Sequence, residues 1–357
     1  GGEGLEDAGV PMVKLGDASI AAPFTSKMPS IRSVLDVIRQ GRCTLVNTVQ
    51  QQQILMLNCM ISAFSLSVMH LEGSRSSEEQ LISTGLLLTV ASFAFSFAQP
   101  IKELSGIKPL TSVFHPALFL SVMGQLSIHI TCMVWCVKSA KEMMGEEEVA
   151  AAIAAAKEFA KNPEGADGKL KHRPSLLNTV VFLVETCQQV SVMLVNYKGR
   201  PWMTGMLANQ GLLYSICATI AGLVLCVSES VPFVNKYLGL VPLPGAEYKH
   251  KMMLVVAVSV VGAFLWDRLC VWMFAPRIFK AMADEFRSIG PEDFKKHIKT
   301  LVYGVVILGA ISVGGIFGII GLWFMWNKQK QARLAMERAA AAGPAAGGGG
   351  AVAAPSS

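Results

Sequence analysis

Charge is scarce in this chain. Only 16% of its residues are charged against 52% hydrophobic, whereas charged side chains make up about a quarter of an ordinary soluble domain. That balance excludes a molecule whose surface is mostly wetted. Period-two alternation is missing from the apolar runs, which excludes the strands of a membrane barrel. No basic stretch with a short apolar core and a cleavage site stands ahead of the first run, so no signal peptide is expected. Cys43, Cys59, Cys132, Cys136, Cys187, Cys217, Cys226 and Cys270 all lie in apolar runs or at their edges, with no Cys-x-x-Cys and no pair in a short loop. A disulfide framework is thereby excluded.

What the chain does have is length of apolar run. A hydrocarbon core about 30 Å thick takes roughly twenty helical residues, and seven runs qualify: 46–70, 81–97, 118–137, 176–195, 212–227, 252–274 and 301–326. Backbone polar groups cannot go unpaired in lipid, so the runs are helices. The predicted fold is all-α, a polytopic transmembrane helical bundle of six or seven spans. The chain opens on Gly1 rather than Met and reads as cut from something longer, while the Ala, Gly and Pro of 339–357 predict a disordered tail. The net charge of +6 sits in loops and tails. It marks membrane flanks, with the lipid bilayer and not nucleic acid as the partner.

Lys and Arg divide evenly between the two sides of a seven-span bundle. The segment 138–174 is long and of mixed charge, and such segments weigh little in orientation. Discounting it puts the N-terminal side in the cytoplasm, where Arg32, Arg39 and Arg42 and then Lys295, Lys296 and Lys299 collect. Inside that segment, EEEVAAAIAAAKEFAK from Glu146 to Lys161 predicts an Ala-rich surface helix with its charges matched to the helix dipole.

Two runs carry polar stripes. Asn47, Gln51, Asn58, Ser62 and Ser65 fall within an arc of roughly 60° on the first, and Gly85, Thr89, Ser92, Ser96 and Gln99 within about 80° on the second. Such stripes face other helices or a water-filled cavity. They read either as interhelical hydrogen bonds or as the lining of a substrate path. Ionisable groups within spans are costly and so more informative. Glu185 shares a face with Asn178, Gln189 and Asn196, which suits either a polar or proton-linked cavity or a carboxylic acid that is simply hydrogen-bonded. Asp267 and Arg268 are adjacent and cannot face each other on one helix. Arg268 is expected to snorkel to the interface while Asp267 finds a partner on another helix.

Gln125, His129, Cys132 and Cys136 share one face of the third run. Their residue types suit a soft metal, yet a lone His with two thiols reads more simply as packing, and no metal is assigned. Ala310, Gly314 and Gly318 permit close helix approach on the last run, which Trp323 and Trp326 anchor at the interface.

The stretch VKLGDASIAAPFTSKMPSIRSVLDVIRQGRCTLVNTVQ, 13–50, carries a resemblance to a known family. Together with SLSV at 65–68, LEG at 71–73, residues 102–109, Gln125 with His129, residues 196–199 and the Asp267–Arg268 pair, it is similar to the C-terminal membrane half of a class V, subgroup A P-type ATPase of the endoplasmic reticulum. The likeness runs over about 13–274. It implies a division into a remnant and exit strand of the phosphorylation domain (1–30), an amphipathic stalk (31–45) whose apolar face is Ile31, Val34, Leu35 and Ile38, and a six-span bundle (46–274) with the extramembrane loop 138–174. Beyond the sixth span the chain departs from the family's plan, with a basic linker (275–300), an additional transmembrane or docking helix (301–326) and a disordered tail (327–357).

In function, the resemblance implies ATP-driven removal of mis-inserted transmembrane helices from the endoplasmic-reticulum membrane through a phosphoaspartate. Cation transport, of calcium or manganese, is an older reading of the family. The implied partners are the N-terminal membrane helices and cytosolic ATPase domains of the same protein, and client transmembrane helices. The Asp-Lys-Thr-Gly and Gly-Asp-Gly-x-Asn-Asp motifs are absent, so no catalytic residue is assigned and no ATPase activity is expected of this chain alone. ATP and magnesium belong to the part it lacks, and Asp17 reads as a turn residue. On the family's plan the two stripes border the substrate cavity. A seven-span membrane scaffold without catalysis is the remaining alternative.

Overall fold

The computed structural model describes residues 31–161 and 174–288, together with the single positions Gly290, Ile298, Asn327 and Lys328. Nine α-helices occupy the described residues: α1 (Arg32–Leu71), α2 (Glu78–Phe95), α3 (Pro116–Met144), α4 (Glu146–Lys161), α5 (Leu176–Asn196), α6 (Gln210–Ser228), α7 (Pro232–Tyr237), α8 (Gly245–Phe274) and α9 (Pro276–Ser288). The segment expected to be a stalk and the first predicted span form one helix of 40 residues, about 60 Å at 1.5 Å per residue. The long loop is largely helical, because α3 runs on to Met144 and α4 takes up 16 residues more. The first half of the predicted linker is α9, opened by Pro276 at a position where a missing N–H costs nothing.

By length and apolarity, α1, α3, α5, α6 and α8 qualify as membrane spans. The 18-residue α2 falls short because Glu78, Glu79 and Gln80 fill its first turn. The last predicted run, 301–326, with Ala310, Gly314, Gly318, Trp323 and Trp326, lies outside the described residues, as do Asp17 and all of the tail but Asn327 and Lys328.

α5 is the central post. Nearly its whole circumference is buried, polar and apolar side chains alike, against α1, α3, α6 and α8. The tightest pairing is α3 with α8. Gly124 makes it possible: a Cβ there would stand 1.8 Å from Trp266 Nε1, and the indole uses the space to donate to Leu120 O at 2.9 Å. Apolar side chains gather in two clusters. One holds Val46, Ile54, Phe95, Met193 and Leu212; the other holds Met133, Leu177, Val184, Leu238 and Met252.

Loop contacts fix which helix ends share a face. Trp202 Nε1 donates to Ile107 O at 2.8 Å and Thr204 N to Gln99 O at 2.9 Å, joining the segment after α2 to the segment after α5. Arg39 reaches Lys102 O, and Arg42 reaches Ser105 O, from the first half of α1. At the opposite ends, Lys141 pairs with Glu72 at 2.7 Å and Lys249 with Glu229 at 2.6 Å. The Lys249 ammonium holds the Glu229 carboxyl below its usual range. Ile31, Val34, Leu35 and Ile38 are exposed, so the described residues leave that apolar face uncovered.

Candidate functional site

The two stripes meet at one point. Gln51 Nε2 donates to Ser96 Oγ at 3.1 Å, bringing the first half of α1 to the end of α2. Asn47, Gln51, Asn58 and Ser62 are half-buried, and Thr89, Ser92, Ser96 and Gln99 are exposed. Thr89 Oγ1 donates to Gly85 O at 2.7 Å and Ser96 Oγ to Ser92 O at 3.4 Å. These hydroxyls satisfy themselves on their own helix, as Ser and Thr commonly do, and leave a polar outward face without a charged group. Ser65 is buried and bonds Ile61 O at 3.0 Å, so it does not join that face.

Ser62 also turns elsewhere. Its hydroxyl donates to Glu185 Oε1 at 2.7 Å, and Gln189 Nε2 donates to both, at 3.0 Å each. The α1 stripe therefore divides between two neighbours, α2 at Gln51 and α5 at Ser62. Asn178 and Asn196, which share the Glu185 face, enter separate clusters. Gln80 closes the capping box of α2 with Ser77 and donates to Asn178 Oδ1 at 2.8 Å and Leu238 O at 3.0 Å. Asn196 exchanges hydrogen bonds with Gln125 at 2.9 and 3.2 Å.

Asp267 is fully enclosed and forms the hub of a four-element knot. Ser121 Oγ of α3 donates to its Oδ1 at 2.6 Å, and Lys198 Nζ stands 3.1 Å from the same oxygen. Gln125 Nε2 donates to Ser121 Oγ at 2.8 Å. Gln50 of α1 brackets the Lys198 backbone, donating to its carbonyl at 2.9 Å and accepting from its N–H at 3.3 Å. Asp267 thus finds partners on other elements, as its position implied. The expectation that Arg268 cannot meet it is corrected: the long side chain folds back over Phe264, 4.8 Å from the ring centroid, and sets NH1 3.6 Å from Asp267 Oδ2. Cα spacing limits short side chains; a guanidinium on three methylenes has the reach to return.

Beside the knot, Glu285 of α9 lies against Gly205, where a Cβ would come within 2.4 Å of its Oε1, and its other oxygen accepts from Arg200 N at 3.0 Å. A cleft of about 1020 Å³ opens here, lined by Arg200, Arg268, Phe279, Met282 and Phe286 among others. Gln125, His129, Cys132 and Cys136 are all buried on α3, and among the described residues no three His, Cys, Asp or Glu side chains come together as a metal site would need. Sequence reasoning missed Lys198, which looks like an ordinary cation just past a span. A lysine directly after an Asn-terminated helix was the available signal, but its burial depends on α8.

No protein-family model matches the chain. It is 38% identical over 269 residues to the probable manganese-transporting ATPase PDR2 of Arabidopsis thaliana, covering 75% of this chain and 21% of that protein. It is 36% identical over 255 residues to the endoplasmic reticulum transmembrane helix translocase of Saccharomyces cerevisiae, covering 71% and 20%. With the protein of the same name from Schizosaccharomyces pombe it shares 35% over 260 residues, 73% and 20%. The chain thus spans about a fifth of the length of the curated relatives it matches. With an all-helical polytopic bundle on one side and these identities on the other, the chain belongs to the class V, subgroup A P-type ATPases, as a C-terminal, multi-pass membrane region seated in the endoplasmic reticulum.

Proposed function

We propose that the chain is the membrane half of an ATP-driven translocase that draws mis-inserted transmembrane helices out of the endoplasmic-reticulum membrane, with the polar faces of α1 and α2 bordering the client's path. The observation that carries this reading is the outward polar face joined at Gln51 and Ser96. A face of hydroxyls and amides suits a helix that carries polar side chains in lipid, since each of them otherwise lacks a partner there. The yeast relatives' names point the same way. On this reading 1–30 is the remnant of the phosphorylation domain, 31–45 the stalk that the missing cytosolic part covers, and 301–326 an added helix.

ATP and magnesium would serve the full-length protein. The residues of this chain do not fit them, because it has neither the phosphoaspartate motif nor the magnesium motif, and the chain's own residues carry out no step through either. A second reading, manganese or calcium transport, rests on the name of the Arabidopsis relative. Against it, neither stripe contains a carboxylate, whereas hard divalent cations are bound through carboxylate and carbonyl oxygens.

A photo-crosslinking residue placed at Ser92 or Gln51 of the full-length protein tests the proposal. In microsomes supplied with ATP, both positions are expected to capture a mis-inserted transmembrane helix, and a residue on the opposite side of α6 is not. Intact ATP hydrolysis with no capture from either stripe would sink the path. Hydrolysis stimulated by manganese and indifferent to added helices would favour the second reading.

A further inference from the structure

Between the Asp267 knot and the Glu185 cluster the bundle contains polar atoms that no described side chain satisfies. Gln53 is fully enclosed, yet neither end of its amide has a hydrogen-bond partner among the described residues. The same is true of both ring nitrogens of the fully enclosed His129, of Gln188 Oε1 and of Ser191 Oγ. Register strings these groups along one stretch of the bundle. Gln188 Nε2 donates to His129 O at 2.8 Å, setting α3 against α5 at that level, and Ser191 is one turn further along α5. α1 and α5 run antiparallel, tied at Gln50 with Lys198 and at Ser62 with Glu185. Gln53 lies between the two ties.

Buried polar groups in proteins are paired with protein or with ordered water in the great majority of cases, and a buried water takes two to four polar partners. Six polar atoms from three helices supply them. We propose that α1, α3 and α5 enclose a site for ordered water. This water joins the Asp267 knot to Glu185 and gives that carboxyl a proton route to the membrane face on which α1 begins. From Gln53 to Ser62 is nine residues, about 13.5 Å of helix. Four or so waters at about 2.8 Å spacing bridge it. Each transfer moves one proton along a hydrogen bond, and Glu185 releases or takes up one.

The surroundings of Glu185 suit a group that exchanges a proton rather than one held in an ion pair. α1 turns the hydroxyls of Ser62 and Ser65 toward it and α5 the Gln189 amide. α3 brings His129 and Cys132 to the neighbourhood of Gln188. The small pocket shared by α2, α5 and α6 is lined at this level by Thr84, Thr186 and Thr219 and carries no charge. On α8, Asp267 is already engaged by Lys198 and Arg268.

Two measurements on the full-length protein in lipid nanodiscs test the site, and neither needs ATP hydrolysis, so their failure is distinct from failure of the translocase reading. In X-ray hydroxyl-radical footprinting, radicals born from bound water oxidise the side chains beside it. Leu57 and Met133 are enclosed by protein and stand one helical turn from Gln53 and His129 respectively, on the same helix faces. They are expected to be labelled, and labelled several-fold less in Gln53→Leu. Absence of label in the wild type means a dry interior and overturns the site. In infrared spectra, the carboxylic band lost in Glu185→Gln is expected to shift on mixing with D2O, and to shift several-fold more slowly in Gln53→Leu. Absence of such a band, an unshifted band or an equal rate in the variant overturns the route. Ser191→Val serves both measurements should Gln53→Leu fail to fold.

Discussion

Between α3, α5 and α8, Ser121 donates to Asp267 of the neighbouring α8, and Gln125 and Asn196 exchange hydrogen bonds across α3 and α5. On α2, Thr89 and Ser96 return theirs to their own backbone and face outward. The residue types are the same, and the difference lies in what stands opposite. Inside, an enclosed Asp267 requires its ring of donors, because removing one partner of a buried charge strands the other. Outside, among the described residues, no buried charge leans on the stripe, and Gln51 alone is seen to reach it, at Ser96. The comparison teaches that a polar stripe read from sequence has two fates, and that the presence of a buried charge decides which.

The hardest test of the interior half is Asp267→Ala. It leaves Lys198 enclosed without its counter-charge, and breaking a buried pair this way costs about 3–5 kcal/mol. Thermal unfolding of the full-length protein in detergent is expected to register a larger drop than any overpacking or surface substitution produces; an unchanged midpoint would break the contrast outright. Gly124→Ala comes next. Its methyl collides with the Trp266 indole, an overpacking worth about 1–3 kcal/mol, and Trp266→Ala in the same chain is expected to recover part of the loss.

A smaller effect belongs to the surface pair of Glu229 with Lys249. Lowering the carboxyl below its ordinary 4.5 means that its stabilisation is present above that pH and fades as pH falls through and below it. Partly exposed ion pairs give about 0.2–1 kcal/mol, so the stability gap between wild type and Glu229→Gln should close as the solution is acidified. A gap that widened on acidification would reverse the sign. Smallest on stability, within about 0.5 kcal/mol, are Thr89→Val and Ser96→Ala. These two are expected to weaken client capture while leaving the unfolding midpoint in place, and a large thermal loss from either would move the stripe into the structural class.

Much of the scaffold was legible. Run length located α3, α5, α6 and α8, and the acids and lysines of 146–161 marked α4 at both ends. Less legible were junctions: α1 continues through the predicted stalk boundary, where no Pro interrupts 31–45 and Ser33, Asp36, Gly41 and Thr44 lie inside the helix without ending it. Periodicity gave the face on which Ser62 and Gln51 lie but not their neighbours, so it could not see the stripe divide between α2 and α5. Lys198 and Ser121 were invisible for the same reason, since their importance is a property of Asp267, more than sixty residues away in sequence.

The uninterrupted α1 has a mechanical consequence. A rod of about 60 Å that pivots where Gln50 grips the Lys198 backbone is a lever with arms of about 27 Å and about 32 Å on either side. A tilt of about 10° applied at the Arg32 end therefore swings the Leu71 end by about 5–6 Å in the opposite direction, roughly one helical turn, with no joint along the way to absorb the stroke.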